Sequence, residues 1–552
     1  MPWVMRTSLL AATMLLTAAF PAAAVADTLV TNANGIQVDA QGEVQHFTGL
    51  LIGTDGRVKR VLAKGAALPR AARRIDARGR TLLPGLIDAH GHVMGLGFGA
   101  LQLDLVGTTS LGDLQQRLKA YAAAHPTGWI VGRGWNQELW PDKAFPTAAD
   151  LDAIVPGRPV WLERVDGHAS VANSAAMAAG GVTAATVAPA GGRIENGLFV
   201  DAATALIQSK VPAPTRAQQD AALRAAQAIM LSTGLTAAAD MGTSAADWAT
   251  MRRLGDAGGL KVRIISYAMG PAGLAAIAPG TPRGWFYGGR LRLAGVKLYA
   301  DGALGSRGAW LKAPYADRPD SVGLRFLTDA ELDRQAGDAA ARGYQVAVHA
   351  IGDAANAQAI GTYERLGKRF GTARRFRIEH VQLVDPADIP RITRAHIIAS
   401  MQPTHQTSDM NMAEARVGAA RLKGGYAWAT IARSGAHLAF GSDFPVESPN
   451  PFPGLSAAIS RSDPAGNPPG GWRPEEKLSF AQALTGFTRE AAYAGFAEDR
   501  IGSLAPGRQA DFILVDRDVS TADGVALAAT KVEETWIAGK RVWSSADASR
   551  AR

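Results

Sequence analysis

The chain contains no cysteine in 552 residues. No disulfide can staple it, and no thiolate is available as a metal ligand or nucleophile. Histidine, carboxylate and lysine must carry any such chemistry. Long Lys/Arg runs are also missing, so the formal charge of +9 is dispersed, which argues against a nucleic-acid partner. Beyond the N-terminus no segment has the length and polarity of a membrane helix, and there is neither a solenoid repeat nor a low-complexity tail. What is present is 47% hydrophobic and 19% charged residues, the balance of a globular protein with a substantial core. The length exceeds one ordinary core and suits a barrel with a satellite domain.

Residues 1–26 read as a cleavable signal peptide. Arg6 supplies the positive start, Leu9 to Phe20 the apolar core, and Ala24-Val25-Ala26 a small-residue cleavage site before Asp27. The apolar stretch is short for a membrane span. Export to the periplasm or medium, with cleavage after Ala26 and no stable membrane insertion afterwards, is the expectation.

Residues 27–82 and 496–545 both consist of short β-rich runs separated by turns. Asp55-Gly56 predicts a type I′ hairpin, and Ala538-Gly539-Lys540 a second hairpin in the C-terminal piece. Neither piece is large enough to bury a core alone, so pairing into one composite β-sandwich is the economical solution. Residues 83–495 alternate strand and helix. Eight candidate strands end near Asp88, Asp240, Tyr267, Lys297, His349, His380, Gln402 and Asp443. Thr215-x-x-Gln218 and Thr328-x-x-Glu331 are capping boxes, and Gly234 sits where a helix-terminating glycine belongs. The fold class expected is α/β, a (β/α)₈ TIM-like barrel with its active site at the C-terminal strand ends. The interval from about 100 to 232 is too long for a loop and is expected to be an inserted subdomain after strand 1.

The motif that matters most closes the first of these strands. Asp88-Ala-His-Gly-His92 follows an apolar run, and period-two alternation projects His90 and His92 from one strand face. Imidazoles so placed suit a borderline cation such as zinc. Four later apolar strands also end in ligand-type residues: Lys297, His349, His380 and Asp443. His90 and His92 would hold one metal and His349 and His380 a second, with Lys297 as the bridging candidate. A buried lysine near cations is driven toward its neutral amine, which can add carbon dioxide to give an anionic carbamate. Asp443 has two compatible roles, metal ligand and general base. A divalent metal here would acidify bound water to a pKa of roughly 7 and so supply hydroxide. His168, Asp301, Arg307, Gln402 and His405 are candidate substrate contacts, whereas His46, His125, His396 and His437 lack this context. Gly95-x-Gly-x-Gly99 lacks the setting of a dinucleotide-binding turn.

These segments resemble the metal-dependent amidohydrolase superfamily, and more narrowly its YtcJ-like branch, which includes N-substituted formamide deformylases. The resemblance rests on Pro84-Gly-Leu-Ile-Asp-Ala-His-Gly-His92, Gly132-Arg-Gly-Trp-Asn136, Arg164-Val-Asp-Gly-His168, Val296 to Arg307, His349-Ala-Ile-Gly-Asp353, Ile378-Glu-His380, Gln402-Pro-Thr-His405 and Gly441-Ser-Asp-Phe-Pro445. It implies the composite sandwich, a carboxylated Lys297 bridging two Zn²⁺, and Asp443 as catalytic acid/base. The expected activity is hydrolysis of a non-peptide C–N bond (amide, formamide or cyclic amide) in a small-molecule substrate. A lactonase, esterase or deaminase on the same fold is the alternative, and an exported non-catalytic metal-binding protein the alternative of another class. Deaminases of the superfamily end the corresponding strand His-Ala-Gly-Glu, unlike His349-Ala-Ile-Gly-Asp353. Association into a homodimer is a further expectation.

Overall fold

A computed structural model describes residue 1 and residues 27–278, 280–282 and 284–550. The segment read as a signal peptide lies outside the described residues. Among them, no helix is long and apolar enough to cross a membrane.

The centre of the molecule is an eight-stranded parallel sheet. Its strands are β1 (Leu86–Gly91), β2 (Leu235–Thr243), β3 (Arg263–Met269), β4 (Leu291–Tyr299), β5 (Gln345–Ala350), β6 (Arg377–His380), β7 (Ile398–Met401) and β8 (Leu438–Phe440). They pair in sequence order, and most of their residues are buried on both faces, as parallel strands under helices require. The sheet curls until its edges meet. Asp443 N donates to His90 O at 2.7 Å and His92 N to Phe444 O at 2.7 Å, joining the ends of β8 and β1. Gly441 permits that approach, since a Cβ there would lie 2.5 Å from His90 N. This is the expected (β/α)₈ barrel.

Leu82 pairs with Leu514 and Leu83 with Ile513, so the two chain ends share one six-stranded sheet. A four-stranded sheet faces it, and Val30, Leu50, Val58, Leu82, Phe512 and Trp536 fill the space between. Arg263 and Asp511, both buried, tie this layer to the barrel by paired bonds of 2.6 and 2.8 Å. One turn differs from expectation. Asp55 keeps a negative φ, only Gly56 is left-handed at +75°, and Gly56 N donates to Gly53 O. The result is a type I turn followed by a glycine bulge, the usual three-residue hairpin, in place of a type I′ pair.

After β1 comes α1 (Val93–Gly99), and then a six-stranded mixed sheet runs from Leu103 to Asp201. It has its own core of Leu114, Leu118, Trp135, Leu162 and Val171. The return helix α2 (Arg216–Ser232) was expected within the insert. It instead packs on α1 and the barrel, because its apolar face (Ala222, Leu223, Ala226, Met230) joins the barrel's core. The contact is close: a Cβ on Gly97 would lie 1.9 Å from Ala222 O. Both expected capping boxes form, and Gly234 takes φ +85° just past α2.

Candidate metal centre and active site

Six of the ten histidines line one cavity of about 1050 Å³ at the C-terminal ends of the barrel strands. They are His90, His92, His168, His349, His380 and His405, and Lys297, Tyr299 and Asp443 line it with them. The inserted sheet covers one side, contributing Asp104, Arg133, Glu138, Asp166 and Asp201 among others.

Asp443 lies at the point of convergence. Its Oδ1 is 3.3 Å from His90 Nε2 and 3.1 Å from His92 Nε2. Its Oδ2 is 3.7 Å from His405 Nε2 and 4.0 Å from His380 Nδ1. Within each trio, His90/His92/Asp443 and His380/His405/Asp443, the ligand atoms lie within 4.8 Å of one another. Asp443 holds φ +60°, a left-handed conformation that few non-glycine residues adopt, and so turns its carboxylate into the cavity from a sharp strand end.

Two of the imidazoles, His90 and His380, are held by a neighbouring side chain. His90 is fully buried, and its Nδ1 meets Glu379 Oε2 at 2.6 Å, which leaves Nε2 facing Asp443. Glu379 is itself clamped by Arg377, whose Nε and Nη2 donate at 2.7 and 2.9 Å. His380 Nδ1 meets Gln402 Oε1 at 2.8 Å. Asp88 accepts from His90 N and from both N and Oγ of Ser442, so it stitches the motif of β1 to the loop carrying Asp443. Asp240 accepts from Val93 N at 2.7 Å and fixes the start of α1. Outward ring nitrogens held by carboxylates or amides fix tautomer and orientation in metal sites.

Electrostatics keep the set ready for a cation. Burial, with the charge of Lys297, pushes His90 down to about 4, so its imidazole is neutral and offers a lone pair. His349 and His380 are driven down by burial as well. Lys297 is almost fully buried, with Nζ 3.2 Å from His90 Nε2 and 5.0 Å from the centre of the Tyr299 ring. Burial lowers it to about 8. His168 goes the other way: against the pull of burial, Asp201 at 2.7 Å raises it to about 9.

The structure brings together His90, His92, Lys297, His380 and Asp443 as expected, and it adds His405 where the sequence suggested only a substrate contact. His349 stands slightly apart. Its ring is 4.5 Å from that of His380, but its Nε2 lies 3.4 Å from Gly302 O and 3.5 Å from Asp301 Oδ1. Three candidate substrate contacts do other work. Asp301 is buried and accepts from the backbone N–H of Trp310, Ile351 and Gly352, so it shapes the turns beside His349. Arg307 pairs with Asp317 at 2.8 Å. Gln402 holds His380 through Nδ1. None of the three lines the cavity, whereas His168 and His405 do. Residues that sequence reasoning passed over are Glu379, Asp88, Asp240, Asp201 and Tyr299. The first three carried a readable signal, a carboxylate near the end of an apolar strand.

The chain from 73 to 543 matches a family model described as the amidohydrolase family. Protein LONG AFTER FAR-RED 3 of Arabidopsis thaliana is 32% identical over 549 residues, covering 95% of this chain and 92% of that protein. The putative amidohydrolase YtcJ of Bacillus subtilis (strain 168) is 32% identical over 490 residues, covering 85% and 90%. A crystal structure titled as an uncharacterized metal-dependent hydrolase of Pyrococcus horikoshii superposes with a TM-score of 0.74 at 27% identity, covering 90% of this chain and 99% of that one. Family model, relatives and barrel agree: this chain belongs to the amidohydrolase family.

Proposed function

We propose that the protein hydrolyses a non-peptide carbon–nitrogen bond, in an amide, formamide or cyclic amide, with divalent metal held at Asp443. The observation that carries the reading is the convergence of two ligand trios on the two oxygens of one carboxylate. The donor set fits a metal on its own terms. Asp443 Oδ1 and His405 Nε2 are buried yet make no well-directed hydrogen bond, an expensive arrangement unless a cation completes it. Imidazole and carboxylate without thiolate suit zinc.

Two Zn²⁺ are the proposed complement. His90 and His92 with Asp443 would hold one, and His380 with His405 or His349 the other. Such ions act as Lewis acids that acidify water and polarise a carbonyl. Lys297, lowered to about 8 by burial, is the group that would carry a carbamate: its neutral amine and carbon dioxide would combine with loss of one proton, and the anion would offset the charge of bound cations.

The remaining chemistry belongs to the chain. Burial opposes ionisation of Asp443, but the surrounding histidines outweigh it and hold the carboxyl well below its usual range, so it rests as a base. It takes the proton of the attacking water as oxygen bonds to the carbonyl carbon. It then hands that proton to the nitrogen as the C–N bond breaks, releasing acid and amine. Glu379, through His90, and Gln402, through His380, keep the surrounding imidazoles in place.

Carefully prepared protein should contain about two divalent metals per chain by elemental analysis. It should hydrolyse members of a panel of N-acyl amino acids, formamides and cyclic amides, and lose that activity on chelation. One metal or none would overturn the binuclear reading. Full metal with turnover of lactones alone would overturn the bond class. The proposed cellular place is outside the cytoplasm, on the strength of residues 1–26, and mass analysis of the exported protein should find Asp27 at its start.

A further inference from the structure

We propose that the substrate carries an extended apolar arm, which runs from the reacting bond to the cavity mouth along α1 and the inserted sheet. This rests on the amide-hydrolase reading and narrows its substrate class. The cavity, about 1050 Å³, is far larger than a formyl or acetyl group needs and stands at the top of the usual range for small-molecule sites. One wall is rich in hydrocarbon: Leu96 on α1 and Ala100 just past its end, Ile229 on α2, Val446 after β8, and Val106 and Leu139 on the insert. α1, α2 and the loop after β8 adjoin, since α1 packs on α2, Thr233 Oγ1 donates to Pro449 O, and a Cβ on Gly95 would touch Pro445 at 3.4 Å. The wall therefore adjoins the floor where Asp443 Oδ1 meets His90 and His92.

Two further observations favour an apolar occupant. Gly95 and Gly99 lie one turn apart on the cavity side of α1, where the atom nearest a Cβ at Gly99 would be the aliphatic Cδ of Arg133 at 3.5 Å. Glycine weakens a helix, and here the compensation is an open trough. Gly97 between them answers instead to the close approach of α2. At the outer end Val106 and Leu139 are each 55% exposed while lining the cavity, so their hydrocarbon faces water until something covers it. Of the charged groups, Asp166, His168 and Asp409 come from other segments of the lining, while Asp104, Arg133, Glu138 and Glu447 flank the apolar residues.

The arm belongs to either the acyl or the amine half of the substrate, and the two product classes separate these cases. Calorimetry on metal-loaded protein would follow the binding of n-alkyl carboxylates and of n-alkylamines from two to ten carbons. In one series Kd should fall about fourfold per methylene, the gain for full burial of a methylene, over at least three consecutive methylenes. Val106→Asp with Leu139→Asp should cut that slope below twofold. Val187→Asp, at an exposed apolar site off the cavity, should not change it. Gly99→Leu, which favours the helix and fills the trough, should weaken the longest members at least tenfold. Flat series in both halves, or a slope that survives Gly99→Leu and the double variant, overturns the arm. Because the readout is binding, a chain-length slope without turnover of any amide would instead sink the hydrolase reading and leave the arm standing.

Discussion

Glu379→Gln separates two jobs that the structure gives to one carboxylate. Glu379 is fully buried, receives His90 Nδ1 at 2.6 Å and is clamped by Arg377 at 2.7 and 2.9 Å. The amide that replaces it is uncharged, so Arg377 keeps a positive charge with no counter-charge in a dry interior. Breaking a buried pair in this way costs about 3–5 kcal/mol. The other job is aiming His90, and loss of such an outer partner weakens metal binding about 10–100-fold. Urea unfolding of the metal-free protein reads the first effect, and competition with a chelator of known affinity reads the second. Adding Arg377→Met removes the stranded charge. It should recover part of the stability, with Ala89 O then left short of a donor, and none of the metal affinity. The pH dependence has a definite sign. Burial would raise the Glu379 pKa, but Arg377 and the bond from His90 outweigh it and hold the group below its ordinary 4.5. The wild type's advantage should therefore be complete above pH 4.5 and shrink as pH falls through the depressed value. Metal affinity within twofold of wild type in Glu379→Gln would refute the claim that this carboxylate aims His90.

Lys297→Ala should lose metal, and short carboxylates added to the variant should restore part of the activity, read by elemental analysis beside turnover. Equal metal content in the variant would remove Lys297 from the centre. Gly308→Ala would put a Cβ 2.5 Å from Asp201 Oδ2 at the seam between insert and barrel. Thermal unfolding should register about 1–3 kcal/mol of overpacking, and His168, which Asp201 holds, should be displaced with it. An unchanged melting temperature would show that the seam is slack.

The barrel was legible because each of its strands is an apolar run ended by a polar residue, and parallel strands buried on both faces must read that way. The composite sandwich followed from a size argument, and the pairing of Leu82 with Leu514 bears it out. Boundaries were harder. α2 carries a clean capping box but nothing in its local pattern says which core its apolar face will join. The Asp55-Gly56 turn misled because the dipeptide allows more than one hairpin, and the choice depends on φ at Asp55. In the site, residues at strand ends were found since strand direction alone aims them. His405 and His349 exchanged emphasis because His405 rides on a short helix after β7, whose placement depends on packing far along the chain. Asp301, Arg307 and Gln402 looked like substrate contacts from their neighbourhood. Their partners (three backbone amides, Asp317 and His380) became visible only in three dimensions. Asp201 had no signal, lying in the insert at φ +50° and reaching the site through the space left by Gly302 and Gly308.

The most direct test is turnover of Asp443→Asn after metal reconstitution, with metal content measured on the same sample. Asparagine keeps the shape and one ligand oxygen but cannot carry the proton. For samples loaded to full metal, the account predicts a folded protein with kcat lowered by about 10²–10⁴, the span of a positioned acid/base. Full metal with near wild-type kcat would contradict it and remove Asp443 from the chemistry.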